Sequence, residues 1–258
     1  MLICTATCRV FVVTVVLIIS MSAPSLGTTI VAIRTPELFA IAADSAGTFK
    51  GGGNSDRERP VSKIFQSGGV LYAIGGLAKD SRRGFDPERV IADFLRASHQ
   101  LQSAVTNLET ILSESLREEL SKLQKEEPDL FRDAIQGSIN GTSVLMASFE
   151  NGQPIAIGIH FVGAVNSDGK VVVRTHRLAC PGDCLDGTYT FFLGHRKAID
   201  KYVAEHDKRF SMWPEEAVRF IVQLEIDAKT PGVAPPIHVV RLNKDGIRWL
   251  SPERAVGK

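Results

Sequence analysis

The sequence predicts an α+β protein, a four-layer αββα sandwich in which two antiparallel sheets lie between pairs of helices. Two observations lead there. The elements run strands, two helices, strands, two helices, strands, and stacking two sheets with a helix pair on each outer side buries all of their apolar faces. The chain of 258 residues, less an apolar leader, is also long enough for one large domain with a real core.

The leader comes first. "MLICTATCR" carries one charge, Arg9, and precedes an unbroken apolar run from Val10 to Ser20 and then the small residues of "MSAPSLG". This is the layout of a secretory signal peptide. The run falls short of the roughly 20 residues that a spanning helix needs. Ser25 and Gly27 supply small side chains at the third and first positions before a cut at Thr28. A cut after Ser25, with Ala23 upstream, is the alternative, and an uncleaved anchor is the rival reading of the whole segment. The expected organisation is a signal peptide over 1–27 and a single domain over 28–258, exported to the periplasm or the medium and not held in the membrane after cleavage.

"TTIVAIRT" alternates poorly and is rich in β-branched residues, as a buried strand should be. "LFAIAAD", Leu38 to Asp44, is the second strand, followed by a long Gly-rich polar loop from Ser45 to Pro60. "SKIFQSGGVLYAIGG" reads as two short strands around Gly68-Gly69. These four strands are expected to form the first sheet as a meander. Asp86-Pro87 opens a helix, and a second helix runs from about Ala104 to Lys125 with Leu108, Ile111, Leu112, Leu116 and Leu120 as its stripe. After Pro128 the pattern returns to strands in "SVLMASFE", "QPIAIGIHF", "KVVVRTHRLA" and "TYTFFLG". Helices over about 195–205 and 214–228 follow, and a hairpin around Asp245-Gly246 closes the chain.

Charge excludes one class of function. Of the 30 Lys and Arg residues, Arg9 falls in the leader, which leaves 29 against 29 Asp and Glu. A nucleic-acid surface needs a basic excess, and none is present. Cys4 and Cys8 belong to the leader. Cys180 and Cys184, in "CPGDC", read as a disulfide-clamped turn in an exported protein. Half of a metal site is the rival, but no second Cys/His pair has zinc spacing nearby, and no metal or other cofactor is expected.

A cut before Thr28 would create a free N-terminal threonine. Its hydroxyl is a weak nucleophile unless a base removes the proton, and its own α-amine can be that base. An α-amine has a pKa of about 7.7–8.0, well placed for proton transfer near neutrality. The scheme needs a cation to lower both pKa values and a carboxylate to hold that cation. Asp44 and Lys63 flank the long loop and are expected beside Thr28.

Here the sequence resembles proteasome β-type subunits, of the N-terminal nucleophile hydrolase superfamily, in an exported, bacterial-type form. The stretch "GTTIVAIRTPELFAIAADSAGT" and the later "SKIF" and "AIGG" carry the likeness. Those subunits begin Gly-Thr-Thr before processing, end the second strand in an "AADSR"-like motif, open the next with lysine and follow it with a "MAGG"-like turn. The resemblance implies the same sandwich fold, with Thr28 as nucleophile, Lys63 as the cation, Asp44 as its anchor, and a backbone N–H of the Gly75-Gly76 turn, Gly75 first, as oxyanion hole. It implies an amide substrate, a peptide or a small amide, and is compatible with a homo-oligomer. The ring architecture of proteasomes is not carried over, since an exported compartment lacks an ATP-driven unfoldase.

The departures are specific. Where active β subunits have a serine after the glycine of the strand-to-helix turn, "FLGHRKAI" has His195. Where they have an Asp and a Ser near the end of the fourth helix, "DAKTPGVAPP" offers Thr230 and Val233, with Asp227 close by. The arginine that commonly follows "AADS" is Ala46. His195 and Thr230 are therefore the expected altered wall of the site, with a surface helix-start histidine as the plain reading of His195. The other histidines, His99, His160, His176, His206 and His238, share no motif spacing and read as surface or satisfied core residues. Trp213 and Trp249 read as core or edge aromatics. "NGT" at Asn140 is a glycosylation acceptor only in a eukaryotic secretory route. Three functions follow: an N-terminal threonine hydrolase cleaving an amide bond, a non-catalytic binding or assembly module on the same fold, or a small-molecule amidase of the superfamily.

Overall fold

The computed structural model describes residues 28–47, 59–77, 84–97, 100–136, 141–184, 187–206 and 212–251. Residues 1–27, the expected leader, and Asn140 lie outside the described residues. The chain begins with β1 (Thr29–Arg34) and β2 (Leu38–Ala43), then a two-stranded ribbon of β3 (Ala46–Gly47) and β4 (Arg59–Pro60). β5 (Ile64–Ser67) and β6 (Val70–Gly76) precede α1 (Pro87–Ala97), α2 (Leu101–Glu126) and α3 (Pro128–Gln136). β7 (Thr142–Glu150), β8 (Gln153–Val165), β9 (Val171–Cys180) and β10 (Tyr189–Gly194) follow. The chain continues through α4 (Lys197–Glu205) and α5 (Pro214–Asp227) to the hairpin β11 (His238–Asn243) and β12 (Gly246–Ser251).

Two five-stranded antiparallel sheets result. Sheet I has the order β10-β1-β2-β11-β12 and sheet II the order β5-β6-β7-β8-β9. The expected four-strand meander is corrected here: β1 and β2 belong to sheet I, β5 and β6 to sheet II. The physical reason lies in the burial of β1 and β2, both central in sheet I. Ile30, Ala32, Ile41 and Ala43 face sheet II, while Val31, Ile33, Ala40 and Ala42 face α4 and α5. Both faces of these strands are covered by other layers, so there is no alternation for the sequence to show. The passage from residue 44 to 63 carries the chain across to sheet II.

Sheet II follows the same logic. On β6 and β7, Leu71, Ala73, Leu145 and Ala147 face sheet I, whereas Tyr72, Ile74, Val144 and Met146 pack under α1 and α2 with Ile91, Leu108, Leu112 and Leu116. Each fully buried aliphatic side chain of this kind contributes about 1.5–3 kcal/mol. Three helices, not two, cover this sheet. The proline at position 128 starts α3 at its first turn instead of ending the helical region, since the missing N–H of a proline has no partner to lose there. Among the described residues no helix is long and apolar enough to cross a membrane. Cys180 and Cys184 form a disulfide, Cα atoms 5.1 Å apart, at the end of β9. Trp213 corrects its expectation: it is 67% exposed, ahead of α5.

One turn depends on the absence of side chains. Gly76 has φ of +84°, and a Cβ there would lie 2.3 Å from the carbonyl oxygen of Gly141. Backbone crosses backbone at that point, so neither neighbour can retreat cheaply. Gly76→Ala should destabilise the protein by at least about 1–3 kcal/mol, the usual cost of a strained residue at positive φ. Urea unfolding measures this, and an unchanged midpoint would refute the argument.

Candidate active site

Thr28 immediately precedes β1, buried, with its carbonyl accepting the His195 backbone N–H at 2.7 Å. Thr29 is held more tightly. Its N–H donates to Asp44 Oδ1 at 2.7 Å, and its hydroxyl donates to the carbonyl of His195 at 3.2 Å. The β1–β10 register pairs Thr29 with Gly194, which brings His195 opposite Thr28. Gly75, near the end of β6, closes the other side: a Cβ on it would stand 3.6 Å from Cγ2 of Thr28 and 3.3 Å from Cβ of Leu193. A side chain here would crowd Leu193 slightly and rest against Thr28, so the glycine keeps this wall of the site open.

Beneath these residues lies a buried ion pair. Lys63 Nζ is 2.8 Å from both carboxylate oxygens of Asp44, and the residues are 7% and 1% exposed. Thr29 N–H and Ala46 N–H, the latter at 3.0 Å, complete the set of donors around the carboxylate. Burial pushes the Asp44 carboxyl above its ordinary range, against the charge and hydrogen bonds of Lys63 and the bonds from Thr29 and Ala46. Burial likewise pulls the Lys63 ammonium below its ordinary value, against the attraction of Asp44. The neighbouring turn is fixed by Ser45, whose hydroxyl donates to the Pro236 carbonyl and whose N–H donates to Ala234 O at 3.1 Å.

The structure thus brings Thr28, Asp44, Lys63 and Gly75 together, although Asp44 and Lys63 meet between two sheets and not along one meander. His195 is half-buried beside them. Burial lowers its imidazole pKa, with Glu225 and Asp44 opposing that shift and Lys63 adding to it. Thr230 does not reach Thr28 directly. Its hydroxyl donates to Glu225 Oε2 and its N–H to the Glu225 carbonyl at 3.0 Å. Asp227 is exposed and accepts a hydrogen bond from Gln223 at 2.7 Å. Sequence reasoning missed Glu225. Fully buried on α5, it receives the N–H groups of Ala198 and Ile199 at 2.7 and 3.1 Å, so it caps α4 from another helix and favours the positive end of that helix. Its place in an apolar helical stripe, four residues after Ile221, was the only available signal.

A polar cleft of about 680 Å³ lies elsewhere, between α2 and β9, with the Glu109–Arg177 pair and Thr175 in its wall. It is on the helix side of sheet II, away from Thr28.

No family model matches the sequence, and no characterised protein sequence matches it. The fold has solved relatives. A structure of an Anbu mutant from Hyphomicrobium sp. strain MC1 superposes with a TM-score of 0.50 at 15% identity, covering 87% of this chain and 85% of that one. The likeness is one of architecture: the chain shares with that structure a sandwich of two five-stranded antiparallel sheets between layers of helices.

Two expectations test the electrostatics. Lys63→Met leaves a buried carboxylate without its countercharge and should cost about 3–5 kcal/mol in urea unfolding. Adding Asp44→Asn should return part of that loss. A double variant no more stable than the single one would show that buried charge is not the cause. For His195, burial sets the folded pKa below the ordinary value of 6.5. Its contribution to stability is therefore complete above that pH and declines as pH falls through it towards the folded pKa. Unfolding curves on either side of that pH should show a smaller acid loss in His195→Gln, and an equal loss in both proteins would contradict the assignment.

Proposed function

We propose that the protein is an exported N-terminal threonine hydrolase that cleaves an amide bond, a peptide first among its substrates, after removal of residues 1–27 exposes Thr28. The observation that carries this reading is the meeting of Thr28, the Asp44–Lys63 pair and Gly75 at one end of the inter-sheet layer. The fold shared with the Anbu structure supports the superfamily, and the Cys180–Cys184 disulfide suits an oxidising compartment.

In this reading Thr28 Oγ1 attacks the substrate carbonyl carbon while the free α-amine of Thr28 takes the hydroxyl proton. The Lys63 cation lowers the pKa of both groups, and Asp44 holds Lys63 in position. The oxyanion accepts a hydrogen bond from the Gly75 backbone N–H. Collapse breaks the C–N bond, and the leaving amine takes the proton from the α-ammonium. Water, deprotonated by the same amine, then hydrolyses the ester and restores Thr28. His195 forms the wall where the resemblance leads one to expect a serine.

A second reading has its own observation. Thr230 is engaged by Glu225 and Asp227 faces solvent, so the hydroxyl and carboxylate that support the threonine amine in active β subunits have no counterpart on Thr28. That favours a non-catalytic binding module on the same fold.

Intact-mass analysis and N-terminal sequencing of the exported protein should give a chain beginning at Thr28. An electrophilic β-lactone or epoxyketone should then add one equivalent to that protein and none to Thr28→Ala. A different N-terminus would remove the base and refute the mechanism. Correct processing without labelling would favour the binding module.

A further inference from the structure

The strand register of sheet II lines up, beyond Gly75, three side chains that the Thr28 chemistry does not use: Ser143, His160 and His176. Gly75, Ser143, His160 and His176 pair in sequence across β6, β7, β8 and β9. Alternation fixes their side. Leu71, Ala73, Leu145, Ala147, Ala156 and Leu178 face sheet I, so residues 75, 143, 160 and 176 lie on that same inner face. Where sheet I covers sheet II this face is packed: a Cβ on Gly158 would meet Phe191 at 3.4 Å. Two residues further along β8 the cover has ended, and His160 and His176 are exposed.

We propose that His160 and His176 form a two-imidazole site for a divalent transition-metal ion, Zn²⁺ in the first instance, on the inner face of sheet II. Directly opposed residues of an antiparallel pair hold their Cβ atoms about 4.5–5.5 Å apart. Zinc binds imidazole nitrogen at about 2.0–2.1 Å, so rings on directly opposed positions are within rotamer reach of one ion. The His160 ring is also oriented in advance. Its Nδ1 lies 2.7 Å from Ser143 Oγ, which leaves Nε2 for the metal, the arrangement by which an outer partner fixes a ligating histidine. Among the described residues no third His, Cys, Asp or Glu completes a ligand set. The remaining positions are left to water, or to a carbonyl or carboxylate of a bound molecule, which makes this a weaker site than a zinc centre with three or four protein ligands. The site stands independently of the Thr28 chemistry.

Calorimetric titration of the intact protein with Zn²⁺ tests it. The expected result is one saturable site, lost in His160→Ala and in His176→Ala. Ser143→Ala should weaken it by about tenfold or more. His206→Ala is the control, because that ring stacks on Tyr202 with centroids 4.1 Å apart, on α4's side of the molecule. Circular dichroism of each variant without zinc checks folding, and His160→Gln and His176→Gln replace any alanine variant that fails to fold. Absence of saturable binding, binding that survives both histidine substitutions, or loss on His206→Ala instead would overturn the site.

Discussion

The buried pair of Asp44 and Lys63 is the interaction on which the site depends. One partner directly follows β2, the middle strand of sheet I, and the other stands just before β5 in sheet II, so the pair ties the two sheets together at the end where Thr28 lies. Removing both charges from water costs several kcal/mol per ion, and only close geometry with further hydrogen bonds offsets it. Both conditions are met: two contacts of 2.8 Å and two backbone donors surround a carboxylate with almost no exposure. An apolar pair would fill the same space at less cost. Buried, paired groups whose pKa values burial shifts, at the end of a sheet, are an arrangement found at functional sites and in structural ion pairs alike.

The layering was legible from element order, and the motif residues were legible from the resemblance. Sheet membership was not. β1 and β2 carry apolar residues on both faces, and such strands give no period from which a partner sheet can be read. The sequence leaves open whether the polar stretch from 44 to 63 turns back or crosses over, and here it crosses. Pro128 shows the same ambiguity, because a proline ends one helix and starts another with equal ease, and the periodicity of the nine residues after it is short.

Long-range caps were equally invisible. α2 begins at Leu101 with no side-chain cap from Gln100, yet its first N–H donates to Glu150 at the end of β7 at 2.8 Å. α4 begins after Arg196, again uncapped locally, and takes the carboxylate of Glu225 from α5. Local capping rules look within three or four residues, and these acids lie 49 and 27 residues away. The pairing of His160 with His176 belongs to the same class, since only the register of a hairpin makes neighbours of residues so far apart along the chain.

The way Thr29 is anchored has a consequence for the life of the molecule. The bonds that hold the start of β1 engage the Thr28 carbonyl and the amide and hydroxyl of Thr29. None of them calls on the Thr28 amino group. The strand can dock, the ion pair can form and the glycine turn can close while that nitrogen is still part of a peptide bond. Under the proposed function, folding and release of the terminus would thereby be separate events, and a chain still uncut at Thr28 would already hold Asp44, Lys63 and Gly75 in register, disarmed by a single bond.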